Sequence, residues 1–131
     1  MEDLNLYNKL SHEILGAAIE VHKELGPGLL ESVYETCLIE ELVSRGLSVQ
    51  SQMELPIIYK NKNLDKHFVI DLLVEDRMVV ELKAVEELKK VHEVQLLTYL
   101  KLANKKMGLL INFNVPVLKD GVRRRLNGLL K

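Results

Sequence analysis

Apolar residues between Leu10 and Leu25 recur at helical intervals, with Ile14, Ala17, Ala18, Val21 and Leu25 on one stripe, which predicts a first helix. Gly26-Pro27-Gly28 closes it, because glycine accepts the left-handed cap conformation and proline cannot continue the ladder. A second helix is expected from about Leu30 to Arg45, stopped by Gly46. The period then changes. Val49–Tyr59 is rich in Val, Ile and Tyr and reads as a strand, with Pro56 pointing to an edge or a bulge. A polar turn at Lys60-Asn61-Lys62-Asn63 leads to a returning strand over Leu64–Val74, and a tight turn at Glu75-Asp76-Arg77 to a third over Met78–Ala84. A charged helix follows over about Glu86–Asn104, with Val91, Val94, Leu97, Leu100 and Leu102 among its apolar positions. A short buried strand over Gly108–Phe113 and a last short helix over Val122–Leu130 complete the order α-α-β-β-β-α-β-α.

An antiparallel meander followed by a helix and a further strand predicts an α/β fold, a mixed central β-sheet flanked by helices. The chain of 131 residues suits a single domain spanning 1–131. With 47% hydrophobic and 28% charged residues the composition is that of an ordinary globular protein, and aromatics at 5% leave the core to Leu, Val and Ile. Cys37, the single cysteine, excludes an internal disulfide and a cysteine-based zinc cage, and its place in the second helix reads as a buried thiol. The polar start MEDLNLYNKLSHE lacks the apolar stretch of a signal peptide. No run reaches the ~18 apolar residues of a membrane span, so no membrane and a cytoplasmic setting are expected. A net charge of −1 argues against a protein that coats nucleic acid by phosphate neutralisation alone. It leaves room for a local basic face from Lys89-Lys90, Lys105-Lys106 and Arg123-Arg124-Arg125, for which solvated side chains without a ligand are the equal alternative.

Ile70, Leu72, Leu73 and Val74, then Val79, Val80 and Leu82, form nearly continuous apolar runs, as in strands covered on both faces. Three charges interrupt them: Asp71, Glu81 and Lys83. A buried carboxylate must neutralise, pair or bind a metal. Glu81 and Lys83 are two apart on one strand and share a face. Whether Asp71 joins them depends on register. A three-residue loop at 75–77 pairs Val74 with Met78 and sets Asp71 opposite Glu81, with Cβ atoms about 4.5–5.5 Å apart. A two-residue loop at Asp76-Arg77 turns Glu81 to the other face. The structural alternative, a salt bridge from Lys83 to one carboxylate, leaves the third charge unsatisfied. Glu87-Leu88-Lys89 repeats the Glu-x-Lys pattern but lies in a segment expected to be helical, without a strand around it.

Asp71, followed by Glu81-Leu82-Lys83 on the next strand, resembles the signature of the PD-(D/E)XK nuclease superfamily. Gly28-Leu29-Leu30-Glu31-Ser32-Val33-Tyr34 is similar to the motif that names one subgroup, the GxxExxY protein family. Gln95-Leu96-Leu97-Thr98-Tyr99 is similar to the QxxxY motif of recombination exonucleases in the same superfamily. The three occur in the expected order. The proline that often precedes the first aspartate is replaced by Ile70, which leaves Asp71 itself in place.

The resemblance implies a divalent-metal-dependent nuclease that hydrolyses phosphodiester bonds in DNA, with Mg²⁺ or Mn²⁺ held by Asp71, Glu81, the backbone carbonyl of Leu82 and Glu31. Hard oxygen ligands suit those ions, which keep several waters and accept a phosphate oxygen. Lys83 is expected to orient the attacking water or stabilise the charged transition state. Glu31 has a second explanation, a carboxylate at a helix N-terminus favoured by the macrodipole. Tyr34, one turn on, either hydrogen-bonds the site or packs. Gln95 and Tyr99 share a helix face, and an amide and a phenol there suit a carboxylate, water or phosphate, with a surface amide beside a half-buried Tyr as the alternative. His92, one turn before Gln95, is expected to be a polar neighbour rather than a ligand. The partner is nucleic acid, and a homodimer is compatible with cutting two strands. Two other functions fit the same residues: a catalytically silent nucleic-acid-binding or regulatory module on the same fold, and a metal-dependent phosphoesterase acting on another substrate.

Overall fold

The structure, a computed structural model, describes residues 3–128. Helix α1 (Leu4–Leu25) begins six residues before the expected Leu10, because the Asp3 carboxylate accepts the Leu6 N–H at 2.9 Å and caps the helix. Its stripe of Tyr7, Leu10, Ile14, Ala17, Ala18 and Val21 is buried. Helix α2 (Glu31–Ser44) contributes Tyr34, Leu38 and Leu42 to the same core. Four strands follow the expected meander and crossover, β1 (Val49–Tyr59), β2 (Lys62–Val74), β3 (Met78–Lys83) and β4 (Met107–Asn112), with helix α3 (Lys90–Ala103) between β3 and β4, and a fifth, β5 (Val122–Leu126), is added. The sheet order is β1-β2-β3-β4-β5. All neighbours are antiparallel except β3 and β4, which are parallel and joined across α3.

Helices α1 and α2 cover one face of the sheet, packing on Leu72, Val74, Val80, Leu82, Leu109 and Ile111. Helix α3 covers the other, through Leu96, Tyr99 and Leu100 against Ile70, Leu73, Val79 and Leu110. This is the mixed sheet flanked by helices that the sequence predicts. Among the described residues no helix is long and apolar enough to cross a membrane.

Three expectations are corrected. The final element is a strand, not a helix: Val122–Leu126 pairs with β4, from Ile111 opposite Val122 to Met107 opposite Leu126. Residues 129–130 of that expected helix lie outside the described ones. Helix α3 starts at Lys90 rather than Glu86, so Glu87-Leu88-Lys89 sits in irregular chain and not on a helix. Val91, Val94 and Leu102, read as part of its apolar side, are exposed, because α3 docks through Leu96 and Leu100 over Gly108, where no side chain fills the gap.

Candidate active site

The loop between β2 and β3 is the three-residue one. Val74 pairs with Met78, Leu73 with Val79 and Leu72 with Val80, and the next step of that register sets Asp71 opposite Glu81. The regular ladder ends there, and side chains take over its hydrogen bonds. The Asp71 N–H donates to Glu81 Oε2 at 2.7 Å, and the Leu82 N–H donates to Asp71 Oδ2 at 2.9 Å. The Asp71 carboxylate thus takes the place of a β2 carbonyl for Leu82, the Glu81 carboxylate takes up the Asp71 N–H, and both are held inside the opened ladder. In a strand the N–H and C=O of one residue leave on the same edge. The Leu82 carbonyl therefore faces β2 and the carboxylate pair.

Electrostatically the pair is frustrated. Burial, then the neighbouring Asp71 charge, pushes the Glu81 carboxyl up to about 8. Asp71 is also raised, chiefly by burial, against the opposing pull of the Leu82 N–H and Lys83. Lys83 forms no ion pair with either group among the described residues, so the buried salt bridge is not made. Its charge acts on Asp71, Glu81 and Glu31 at longer range. Beyond Lys83 the chain is fastened to β4: Asn112 Nδ2 donates to the Val85 carbonyl at 2.9 Å, the Val85 N–H donates to Asn112 Oδ1 at 3.1 Å, and the Phe113 N–H donates to the Lys83 carbonyl at 2.9 Å. Buried Asn112 thereby fixes where β3 ends.

Two helices flank the pair. Glu31 opens α2, and its carboxyl is raised by burial and by Asp71, against the opposing pulls of Lys83 and the Ala84 N–H. Tyr99 on α3 is buried, and its phenol is raised by burial and then by the charges of Glu81 and Asp71.

A family model of the PD-(D/E)XK nuclease superfamily matches residues 8–125. The chain belongs to that superfamily. No curated protein and no solved structure matches it.

Within this PD-(D/E)XK chain the remaining expected residues fall differently. Tyr34 does not hydrogen-bond the carboxylates. Its hydroxyl donates to the Gly26 carbonyl at 2.5 Å and accepts the Leu29 N–H at 3.1 Å, while its ring stacks on Phe113 with centroids 4.5 Å apart. Tyr34 therefore ties down the turn through Gly28, at φ +95°, that delivers Glu31 to the first turn of α2. The Gly-x-x-Glu-x-x-Tyr spacing acquires a physical meaning: a turn, an acid placed by it, and a phenol that locks it. Gln95 is exposed on the face of α3 that carries Tyr99 one turn on, and it makes no hydrogen bond among the described residues. His92 Nδ1 accepts the Lys89 N–H at 3.0 Å, so the ring caps α3, as a polar neighbour would. It also lines a cavity of about 840 Å³ with Val85, Glu86, Glu87 and Lys89, beside the end of β3.

Sequence reasoning missed two residues. Glu35 lies one turn after Glu31 on α2, and its carboxyl is raised by burial and by Asp71; the i, i+4 spacing from Glu31 was the available signal. Gln52 on β1 donates from its amide to Glu35 Oε1 at 2.7 Å, and nothing in the local pattern marks it. The arginine run does not make one basic face. Arg124 hydrogen-bonds Asn8 on α1, whereas Arg125 pairs with Glu93 on α3, as strand alternation requires.

Among the described residues no group of three or more His, Cys, Asp or Glu side chains forms a ready cage for a metal ion. A Mg²⁺-type ion does not need one: it binds through one or two carboxylates and keeps its waters for a phosphate. Glu81 has one oxygen committed to the Asp71 N–H and another that accepts no hydrogen bond among the described residues. Buried Glu81 and half-buried Asp71, two mutually repelling groups of hard-oxygen character, fit a divalent cation.

Proposed function

We propose that this protein is a divalent-metal-dependent nuclease that hydrolyses phosphodiester bonds in DNA, and that it belongs to the GxxExxY group of its superfamily. The observation that carries the reading is the opened ladder in which Asp71 and Glu81 meet, with Lys83 next on the same strand face. Asp71, Glu81 and the Leu82 carbonyl would hold Mg²⁺ or Mn²⁺, with Glu31 reaching it directly or through water. Bound there, the ion supplies neutralisation of phosphate charge and a more acidic water. The chain's own residues do the rest. Lys83 orients the nucleophile and opposes the charge that develops on the phosphate oxygens. Tyr34 keeps Glu31 in place through the Gly26–Leu29 turn. Tyr99 closes the α3 side, and Gln95 offers an exposed amide to the nucleic-acid strand.

The test is a cleavage assay on plasmid, linear and single-stranded DNA, and on RNA, with Mg²⁺ or Mn²⁺. Metal-dependent cutting that falls by roughly 10²–10³-fold in Lys83→Ala is the expected result. Silence on every substrate, with metal still bound by calorimetry, would sink the nuclease reading in favour of a silent binding module. Activity confined to a small phosphoester would move the substrate away from DNA.

A further inference from the structure

From Val49 to Pro56, before the register shift between Pro56 and Ile58, β1 keeps one register with β2 on both sides of a gap: Ser51 pairs with Leu72 and Met53 with Ile70, but the intervening pair, Gln52 and Asp71, is absent from the ladder. At that point Gln52 has φ +52°. The other non-glycine residues in this conformation have local reasons. Lys60-Asn61 and Glu75-Asp76 form hairpin turns, Asn104 caps α3, and Asp65 lies in the irregular stretch near the hairpin tip. Gln52 is in the body of a strand, where a left-handed residue with a Cβ carries a steric cost and points to function.

The same point reverses the faces of β2. Leu72 and Val74 pack with α1 and α2, whereas Ile70 and Phe68, which would share their face on a regular strand, pack with α3. Freed from β1, the Asp71 N–H is the one that donates to Glu81. The backbone anomaly at Gln52 and the carboxylate pairing at Asp71 are therefore one event in the sheet.

The side chain of Gln52 then has a defined task. Its NH₂ donates to Glu35 Oε1 at 2.7 Å, and Gln52 itself stands at the gap where its cross-strand partner would be Asp71. A glycine would take this backbone conformation at no steric cost, but would leave Glu35 and Asp71 without the amide between them. We infer that Gln52 is a positioning residue that holds the Glu35 carboxylate beside Asp71 and so makes Glu35 part of the rim of the cation site. This rests on the metal-dependent reading of the site above.

The experiment measures Mn²⁺ binding by calorimetry and metal-free melting for the full chain, as wild type, Gln52→Gly, Glu35→Gln and Asp71→Asn. Gln52→Gly keeps the backbone conformation and removes the amide. It is expected to weaken Mn²⁺ binding by roughly 10- to 100-fold, the usual effect of losing a residue that orients a ligand, with no fall in metal-free melting temperature. Glu35→Gln is expected to weaken binding in the same direction. Wild-type affinity in Gln52→Gly overturns the inference, and so does a loss accompanied by a lowered metal-free melting temperature, which would assign Gln52 to the fold. No Mn²⁺ uptake by the wild type would remove the nuclease reading as well. Uptake that Asp71→Asn abolishes and Gln52→Gly leaves unchanged would remove this inference alone.

Discussion

Tyr34 separates two ways in which a side chain serves a site. It is fully buried, stacked on Phe113 and bonded through its hydroxyl to both sides of the turn before Glu31. Tyr34→Phe keeps the ring and removes only those bonds. The expected loss is about 1–2 kcal/mol, because the turn's donor and acceptor lose a partner in a half-buried place. Urea unfolding measures it, and Mn²⁺ affinity falls with it because Glu31 loses its fixed start. Unchanged stability would remove the phenol from the account of the motif. Much of this residue-level picture was legible. Asp71, Glu81 and Lys83 stood out because charges inside apolar strands require a reason. Gln52 was illegible, since its part depends on a left-handed backbone that no local pattern announces.

At the scale of elements, the legible parts were those set by local chemistry. The tight turn after Val74 was legible, but its length was left open between two and three residues; the structure has the three-residue turn at 75–77, where the Arg77 N–H donates to the Val74 carbonyl at 3.0 Å, and the Glu75 carboxylate accepts the Ser48 N–H and hydroxyl at 2.8 and 2.6 Å. Strand β5 was missed because Val-Arg-Arg-Arg-Leu shows no alternation and is rich in helix-forming residues; it extends only because β4 offers an edge, and arginines on an outer strand discourage further pairing. Which side of α3 would dock was also non-local, decided by the space above Gly108. The joint between β4 and β5 can be probed at Gly121, where an added Cβ would collide with the Asn112 carbonyl. Gly121→Ala should lower stability by about 1–3 kcal/mol and disturb Asn112, hence the Val85 latch that ends β3. Thermal melting reads the first effect and cleavage rate the second. A variant that melts like the wild type would show that the joint yields freely.

For the whole molecule the acids of the site set the dependence of stability on pH. The Glu81 carboxyl stands at about 8 in the fold against an ordinary 4.5. Between those values the folded chain keeps a proton that the unfolded chain has released. The associated stability is complete below about 4.5 and is lost as pH rises through about 8, on the order of a few kcal/mol. Asp71, Glu31 and Glu35 are shifted in the same direction and add to the slope. Glu75, held below its usual range by Ser48, is already ionised across this window and does not oppose it. Melting in the presence of a chelator should therefore fall between pH 5 and pH 8.5, and excess Mn²⁺ should restore more stability at the upper end than at the lower. A flat profile without metal would mean that Glu81 ionises freely.

The exchange of a carbonyl for a carboxylate at the Asp71 and Leu82 amides also gives the chain a gauge of its own occupancy. A cation that draws electron density from those carboxylates loosens both N–H bonds without displacing a backbone atom. In a nitrogen-edited spectrum, the amide resonances of Asp71 and Leu82 would then move together, and ahead of the rest. Loading could be followed at two atoms, with no substrate present.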